Sequence, residues 1–586
     1  MSAARIHRRF DRYDAVGSVL DHADGAEIIR AHAPELSGVC ALNPQFRDYP
    51  FGPFLETILR LDRVRAASVI SQVTELETLA AIDRSRVVAP DPSFDTAPTA
   101  SASVTVPAQT TQWTATELVF AGPSHGNSFV DVYLAAVFDD GTHTVRVGGF
   151  YDGDGVYRIR FLPPTTGNWT FTTTSTAQSL DQISGHIVVG PGAEQGAVQV
   201  AGRGFVHQSG AAFVPFGTTA YAWTHQSDQL QQRTLESLAA APFTKVRMCL
   251  FPKSYIFNEN DPDLYPFPKD DTGEWDTERF DVRFFRHLEQ RIADLGSLGI
   301  QADLILFHPY DRWGFTDLGA HADDRYLTYV VRRLAAFPNV WWSLANEYDL
   351  MTTKRPADWH RFGELITRED HAHHLLSVHN WVDLFDATPD WVTHCSIQSG
   401  TFDLGAEVDA WRARWDKPVI LDESGYEGDL DQEWGNLTAA DVVDRFWMTM
   451  MRGGYATHGE TYRNDGDVFW SKGGTLRGES IARIAFLRDL VAQAPGPFEP
   501  LPSSWNTPWA GVRDRYTLIY LGRRQPAWSD ISIPAGMRAH VDVIDTWNMT
   551  VETLPGIHEA TITVPLPARP YMAIRLRAAP NLETQN

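Results

Sequence analysis

Two carboxylates carry the chemistry that is legible in this sequence. Trp341-Trp342-Ser343-Leu344-Ala345-Asn346-Glu347 runs from apolar residues into an Asn-Glu pair, and Pro418-Val419-Ile420-Leu421-Asp422-Glu423 ends in the same way. A buried strand that delivers one carboxylate at its C-terminal end is a compact way to hold a catalytic acid. Two such strands are the minimal equipment for cleaving a glycosidic bond. With the carboxyls about 5 to 5.5 Å apart, one attacks the anomeric carbon. The other protonates the leaving oxygen and then activates water. Asn346 would hydrogen-bond the sugar 2-hydroxyl. Glu347 needs a raised pKa to keep its proton near neutrality, and Trp341 and Trp342 are expected to supply the apolar surroundings. Glu423 would be the ionised nucleophile.

The elements that must position these residues are parallel βα units. From residue 195 to 494, apolar strands alternate with amphipathic stretches such as Arg279 to Leu298 and Arg325 to Phe337. Eight strand candidates are present: Phe213 to Trp223, Thr244 to Phe251, Ile300 to Phe307, Val340 to Ala345, Leu375 to His379, His394 to Gln398, Pro418 to Asp422 and Gly454 to Glu460. Eight units over this length fit a (β/α)8 TIM barrel, whose catalytic residues sit at the C-terminal strand ends. The competing doubly wound sheet would want a Gly-rich phosphate loop after an early strand. A single Glu at a strand end is usually a salt-bridged or solvated carboxylate. Placement on the fourth and seventh strands, across a barrel mouth from each other, shifts the balance to chemistry.

Other strand ends supply further candidates. Arg247 on the second strand would pair with the nucleophile, or sit in a barrel-interior salt bridge. His308 and Asp311 end the third strand, His379 and Asn380 the fifth, and His458 and Glu460 the eighth; each would contact sugar hydroxyls. Trp223, Tyr255, Trp381 and Trp470 are stacking platforms or core aromatics. His371, His373 and His374 invite a metal reading, but they fall on a helix end or loop before the fifth strand, so no metal or other cofactor is expected.

Residues 1–88 have helical spacing, notably Ala26 to His32 and Phe54 to Leu79. This block would pack on a neighbour, cover the site or join a homo-oligomer. A Pro-rich linker, 89–102, precedes a period-two segment, 100–192, expected to be a β-sandwich. Its Asp152-Gly153-Asp154-Gly155 run reads as a hairpin turn rather than a calcium loop. Residues 495–586 read as a second, smaller sandwich.

The net charge of −24 disfavours nucleic acid and anionic membrane as partners, and gently disfavours polyanionic substrates. No stretch approaches the roughly 20 apolar residues of a membrane span. Cys40, Cys249 and Cys395 match no metal spacing. The first residues lack an apolar segment behind their basic ones, so a cytoplasmic location is expected.

The Asn-Glu ending the fourth strand and the Glu ending the seventh resemble the clan A glycoside hydrolases, which are retaining TIM-barrel enzymes. Gly217-Thr218-Thr219-Ala220-Tyr221-Ala222-Trp223, Leu421-Asp422-Glu423-Ser424-Gly425-Tyr426-Glu427-Gly428 and Thr457-His458-Gly459-Glu460-Thr461-Tyr462 are similar to its apiosidase-like branch. The resemblance covers residues 100 to 586. It implies Glu347 as acid/base and Glu423 as nucleophile. Clan A members often carry a Tyr on the sixth strand; here that strand reads Cys395-Ser396-Ile397-Gln398, which leaves Gln398 for substrate contact. The expected function is retaining exo-hydrolysis of small neutral oligosaccharides or glycosides, with pentose or furanose ends suggested by the resemblance. The alternatives are a noncatalytic carbohydrate-binding protein with a degenerate barrel, and a metal-dependent barrel hydrolase.

Overall fold

The computed structural model describes residues 7–79, 87–96, 100–401, 404–464, 467–503 and 507–580. Eight parallel strands form the barrel: β1 (Gly217–Thr219), β2 (Lys245–Cys249), β3 (Gln301–Phe307), β4 (Val340–Ala345), β5 (Leu376–Ser377), β6 (Cys395–Gln398), β7 (Val419–Glu423) and β8 (Tyr455–His458). They pair in the order β5-β4-β3-β2-β1-β8-β7-β6, and a single parallel bridge between His379 and Ser396 joins the two ends. Along β2, Val246 and Met248 face the surrounding helices, while Lys245 and Arg247 point into the barrel. The helices that cover the strands bury one stripe each. In Val282–Ser297 it is Phe284, Phe285, Leu288, Ile292 and Leu295, and the Asp281 side chain caps the first turn.

The first barrel strand is shorter than the sequence suggests. Pro215 has no N–H to give a ladder, and the run breaks there. Ala212–Phe213 instead joins Val198–Ala201 and Gly204–His207 in a three-stranded antiparallel sheet. That sheet packs Val198, Phe205 and Phe213 against Trp341, Leu375 and Ile420 at the N-terminal ends of the strands, plugging the barrel floor.

The flanking segments form sheets. Eight strands from Ser103–Thr105 to Ser184–Gly190 share a core of Leu118, Phe120, Phe138, Ile159, Phe161, Trp169 and Phe171. Thr144–Tyr151 changes partner along its length, pairing first with Leu134–Asp139 and then with Val156–Phe161. Before the strand Leu134–Asp139, Ser128–Asp131 is a helical turn whose Asp131 carboxylate accepts from Asn127 N at 2.8 Å. The C-terminal segment has a six-stranded antiparallel sheet and a two-stranded ribbon, Trp528–Ser532 with Thr561–Pro565, over one core.

The N-terminal block is helical, with helices Val16–Asp21, Ala23–His32, Glu35–Leu42 and Arg63–Thr74 around Phe10, Val19, Ile29, Phe51, Phe54 and Val69. The long helix expected from Phe54 to Leu79 is interrupted. Phe54–Ile58 is a π-turn, Arg60 takes a left-handed φ of 50°, and Asp62 caps a new helix by accepting from Arg65 N at 3.0 Å. Glu77–Leu79 is a strand paired with His7–Arg9. Among the described residues no helix is long and apolar enough to cross a membrane.

Candidate active site

Both carboxylates reach the barrel mouth through backbone irregularities. Glu347 follows β4 with φ 53° and ψ 56°, a left-handed conformation that is strained for a non-glycine residue. At the end of β7 the register slips: Leu421 pairs with Ile397, but Glu423 pairs with Gln398. Asp422 is the extra residue, so it can point into the barrel while Glu423 still turns over the mouth.

Glu347 is 5% exposed. Its Oε2 accepts from Tyr310 Oη at 2.5 Å and from Asn346 Nδ2 at 3.2 Å. Gln398, with its amide nitrogen turned toward the acceptors around it, donates to Glu347 Oε1 at 3.2 Å. Burial, and then the charge of Glu423, push the Glu347 carboxyl up to about 8, against the pull of Tyr310 and Lys253. Trp341 lies on the barrel floor and Trp342 donates to Asp370 at 3.0 Å, so neither supplies the apolar wall expected of it.

Glu423 accepts a short hydrogen bond from the Tyr221 hydroxyl. His379 Nε2 stands 3.8 Å from the same oxygen. Since His379 Nδ1 accepts from Glu347 N at 3.4 Å, and burial keeps the ring well below the ordinary histidine range, its proton sits on Nε2 facing Glu423. The Tyr221 hydroxyl and the His379 N–H thus both face Glu423.

Beneath the pair lies a buried ionic layer. Lys245 donates to Asp303 at 2.7 Å and to Asp422 at 2.6 Å. Arg247 sits 3.5 Å from Asp422 and 3.7 Å from Asp303, and donates to Asn346 Oδ1 at 2.8 Å. Arg247 therefore belongs to the barrel interior and positions Asn346; its charge still reaches Glu423 through space.

The structure brings Asn346, Glu347, His379, Gln398 and Glu423 together, with Trp470 packed edge-on to Tyr221 at 5.3 Å. It turns other candidates elsewhere. His308 is fully buried with Nε2 3.2 Å from Phe251 O, and Trp223 is fully buried against Met248. Asp311 is occupied by the amides of Trp313, Gly314 and Thr316. Asn380 clamps both backbone groups of Gln398 and so ties β5 to β6. His458 pairs with Thr218 at 3.0 Å, and Glu460 accepts from Arg477 N and Gly478 N. His371 accepts from Leu162 N and His374 pairs with Asp370, and among the described residues no group of three or more His, Cys, Asp or Glu could hold a metal ion.

Sequence reasoning passed over Lys253, Tyr221 and Tyr310. Lys253 is buried with Nζ 3.6 Å from the Tyr221 ring centre, 4.5 Å from Tyr310 and 4.7 Å from Trp470. Burial holds it below the ordinary lysine range, partly offset by Cys249 and by both glutamates. Lys253 and Tyr310 directly follow the apolar runs of β2 and β3, the rule that selected their neighbours. Tyr221 supplies, from beyond β1, the hydroxyl that β6 lacks.

Residues 199–499 match the apiosidase-like catalytic domain family, more than half of the chain. The chain belongs to the apiosidase-like family. Two domains of unknown function match on either side, DUF5060 at 109–176 and DUF5605 at 505–577. A crystal structure of a "putative glycoside hydrolase" from Bacteroides vulgatus ATCC 8482 is 37% identical with a TM-score of 0.77, over 80% of this chain and 100% of that one. A glycoside hydrolase family 5 structure from the same organism is 16% identical with a TM-score of 0.52, over 66% of this chain and 94% of that one; it bears on the fold alone. No curated protein matches. For this apiosidase-like chain, the family and the barrel support glycosidase activity and a carbohydrate substrate.

Proposed function

We propose that this apiosidase-like protein is a retaining exo-glycosidase that removes terminal residues, pentose or furanose units among them, from small neutral oligosaccharides or glycosides. The single observation that carries the mechanism is the Glu347 carboxyl, pushed up to about 8 by burial and by the charge of Glu423 facing it, while Glu423 accepts from Tyr221. Glu423 attacks the anomeric carbon while Glu347 gives its proton to the leaving oxygen. Esterification then removes the Glu423 charge, the second-largest cause of the raised Glu347 pKa. Glu347 becomes more acidic and is ready to take a proton from the incoming water. Asn346, held by Arg247, is positioned for the sugar hydroxyl next to the reacting carbon.

The test is turnover of a panel of aryl pyranosides and furanosides of both anomers. Glu347→Ala and Glu423→Ala should each lower kcat/KM by at least about a thousandfold with an unchanged circular dichroism spectrum. Azide should rescue Glu423→Ala and give a product of inverted configuration. Activity that survives both substitutions sinks the assignment.

A further inference from the structure

The N-terminal helical block lies outside the family's matched residues, 199–499, yet it meets the barrel at the residues flanking Glu347. The Tyr13 hydroxyl donates to Asp383 at 3.0 Å and lies 3.4 Å from the Tyr348 hydroxyl, next in sequence to Glu347. Arg12 pairs with Asp383 at 3.0 Å, and Asp14 pairs with Arg355. Asp349 fixes the opposing loop by accepting from Trp381 N, Val382 N and Asp383 N. Between these anchors the segment ending at Pro50 sets the Tyr49 ring edge-on to Trp381, with centres 5.6 Å apart. The Tyr49 carbonyl accepts from Val16 N at 2.8 Å and the ring packs on Phe46 and Phe54, so the side chain is held from its own side. Tyr49 and Trp381 are both only partly buried.

We propose that the N-terminal block is part of the catalytic unit, delivering Tyr49 to pair with Trp381 as the aromatic contact for the leaving group. The inference rests on the glycosidase reading. A general acid faces the oxygen that departs, and the block that carries Tyr49 meets the barrel at Tyr348, next to the acid Glu347, so this ring is placed for the leaving group. The charges felt by the two nearby phenols agree with this side. After burial, Glu347 is the charge that raises Tyr49, whereas Tyr255 feels both Glu347 and Glu423. An apolar ring face with one polar edge suits a sugar or aryl aglycone.

The test compares a disaccharide with the fluoride of its terminal sugar, whose one-atom leaving group cannot reach Tyr49. In Tyr49→Ala the ratio of kcat/KM for the disaccharide to that for the fluoride should fall about tenfold. Tyr49→Phe, which keeps the ring, should retain most of it. An unchanged ratio, or equal loss with both substrates, overturns the proposal. A wild-type protein that cleaves neither substrate sinks the glycosidase reading separately. Calorimetric titration with xylobiose, cellobiose and mannobiose against xylose, glucose and mannose then decides Tyr49. Selective weakening of the disaccharides in Tyr49→Ala supports it, whereas equal affinities, or no binding at all, overturn it.

Discussion

Glu347 keeps its proton because burial and the facing charge of Glu423 together outweigh Tyr310 and Lys253. The consequence for activity has a definite sign. The acid works protonated, so kcat/KM should fall above about pH 8. Tyr310 donates to the carboxylate and pulls its pKa down, so Tyr310→Phe should move this alkaline limb upward by about one pH unit. The same group also ties stability to pH. Its folded pKa of about 8 stands above the ordinary 4.5, so the native state holds a proton that the unfolded chain has released. Stability is full below pH 4.5 and drains away up to pH 8, by at most about 1.4 kcal/mol per pH unit. Glu347→Gln should therefore unfold at a higher temperature than wild type at pH 8 and at a similar temperature at pH 4. pH–rate profiles and melting curves check both, and an alkaline limb unmoved by Tyr310→Phe would remove Tyr310 from this account.

At the scale of the strands, the ionic layer under the site ties strands together across the barrel interior. Lys245 on β2 pairs with Asp303 on β3 and Asp422 on β7, at 2.7 and 2.6 Å. Lys245→Met would leave two buried carboxylates sharing only the more distant Arg247. Removing one partner of such a cluster costs about 3–5 kcal/mol, most of it the desolvation of the groups left behind. Urea unfolding should show a loss of that size, and a loss under about 1 kcal/mol would mean that the layer does not hold these strands together. Arg247 belongs to this layer and holds Asn346, so the substitution should depress activity as well. The strand-level organisation was largely legible in the sequence, because β3, β4 and β7 are mostly apolar runs and carboxylates stand at the ends of β4 and β7. Three features were not. The Pro215 break hid how short β1 is. The β7 bulge lets the adjacent Asp422 and Glu423 serve the interior and the mouth, and a period-two reading cannot anticipate that. Polar residues at strand ends also look alike in sequence: His308, Asp311 and Glu460 satisfy backbone groups, whereas Lys253, Tyr221 and Tyr310 converge on the site from separate loops.

At the scale of the whole molecule, ion pairs help to fasten the 100–192 segment to the barrel, beside aromatic contacts of Phe129 with Phe280 and Phe150 with Tyr329. Asp152, in the turn read from sequence as a plain hairpin, is 1% exposed. It accepts from Arg158 at 2.7 Å within its own segment and from Arg286 at 3.0 Å on a barrel helix, and it pairs with Arg333 at 2.8 Å on another. Arg160 reaches across in the other direction, to Glu289 at 2.5 Å, and Arg333 binds the same carboxylate. Arg333 is fully buried, so its charge depends on these two acids. Asp152→Ala takes one away and should cost about 3 kcal/mol of coupling between the segment and the barrel. Calorimetry should then show a lower-temperature transition for the sheet segment separating from that of the barrel. Arg333→Met alone should be similarly damaging, because it takes the fully buried cation from both Asp152 and Glu289 and leaves them the more exposed Arg158, Arg286 and Arg160. The double substitution should lose clearly less than the sum of the two, since the charge and its uncompensated partner disappear together. Strictly additive losses would show that Asp152 and Arg333 act independently.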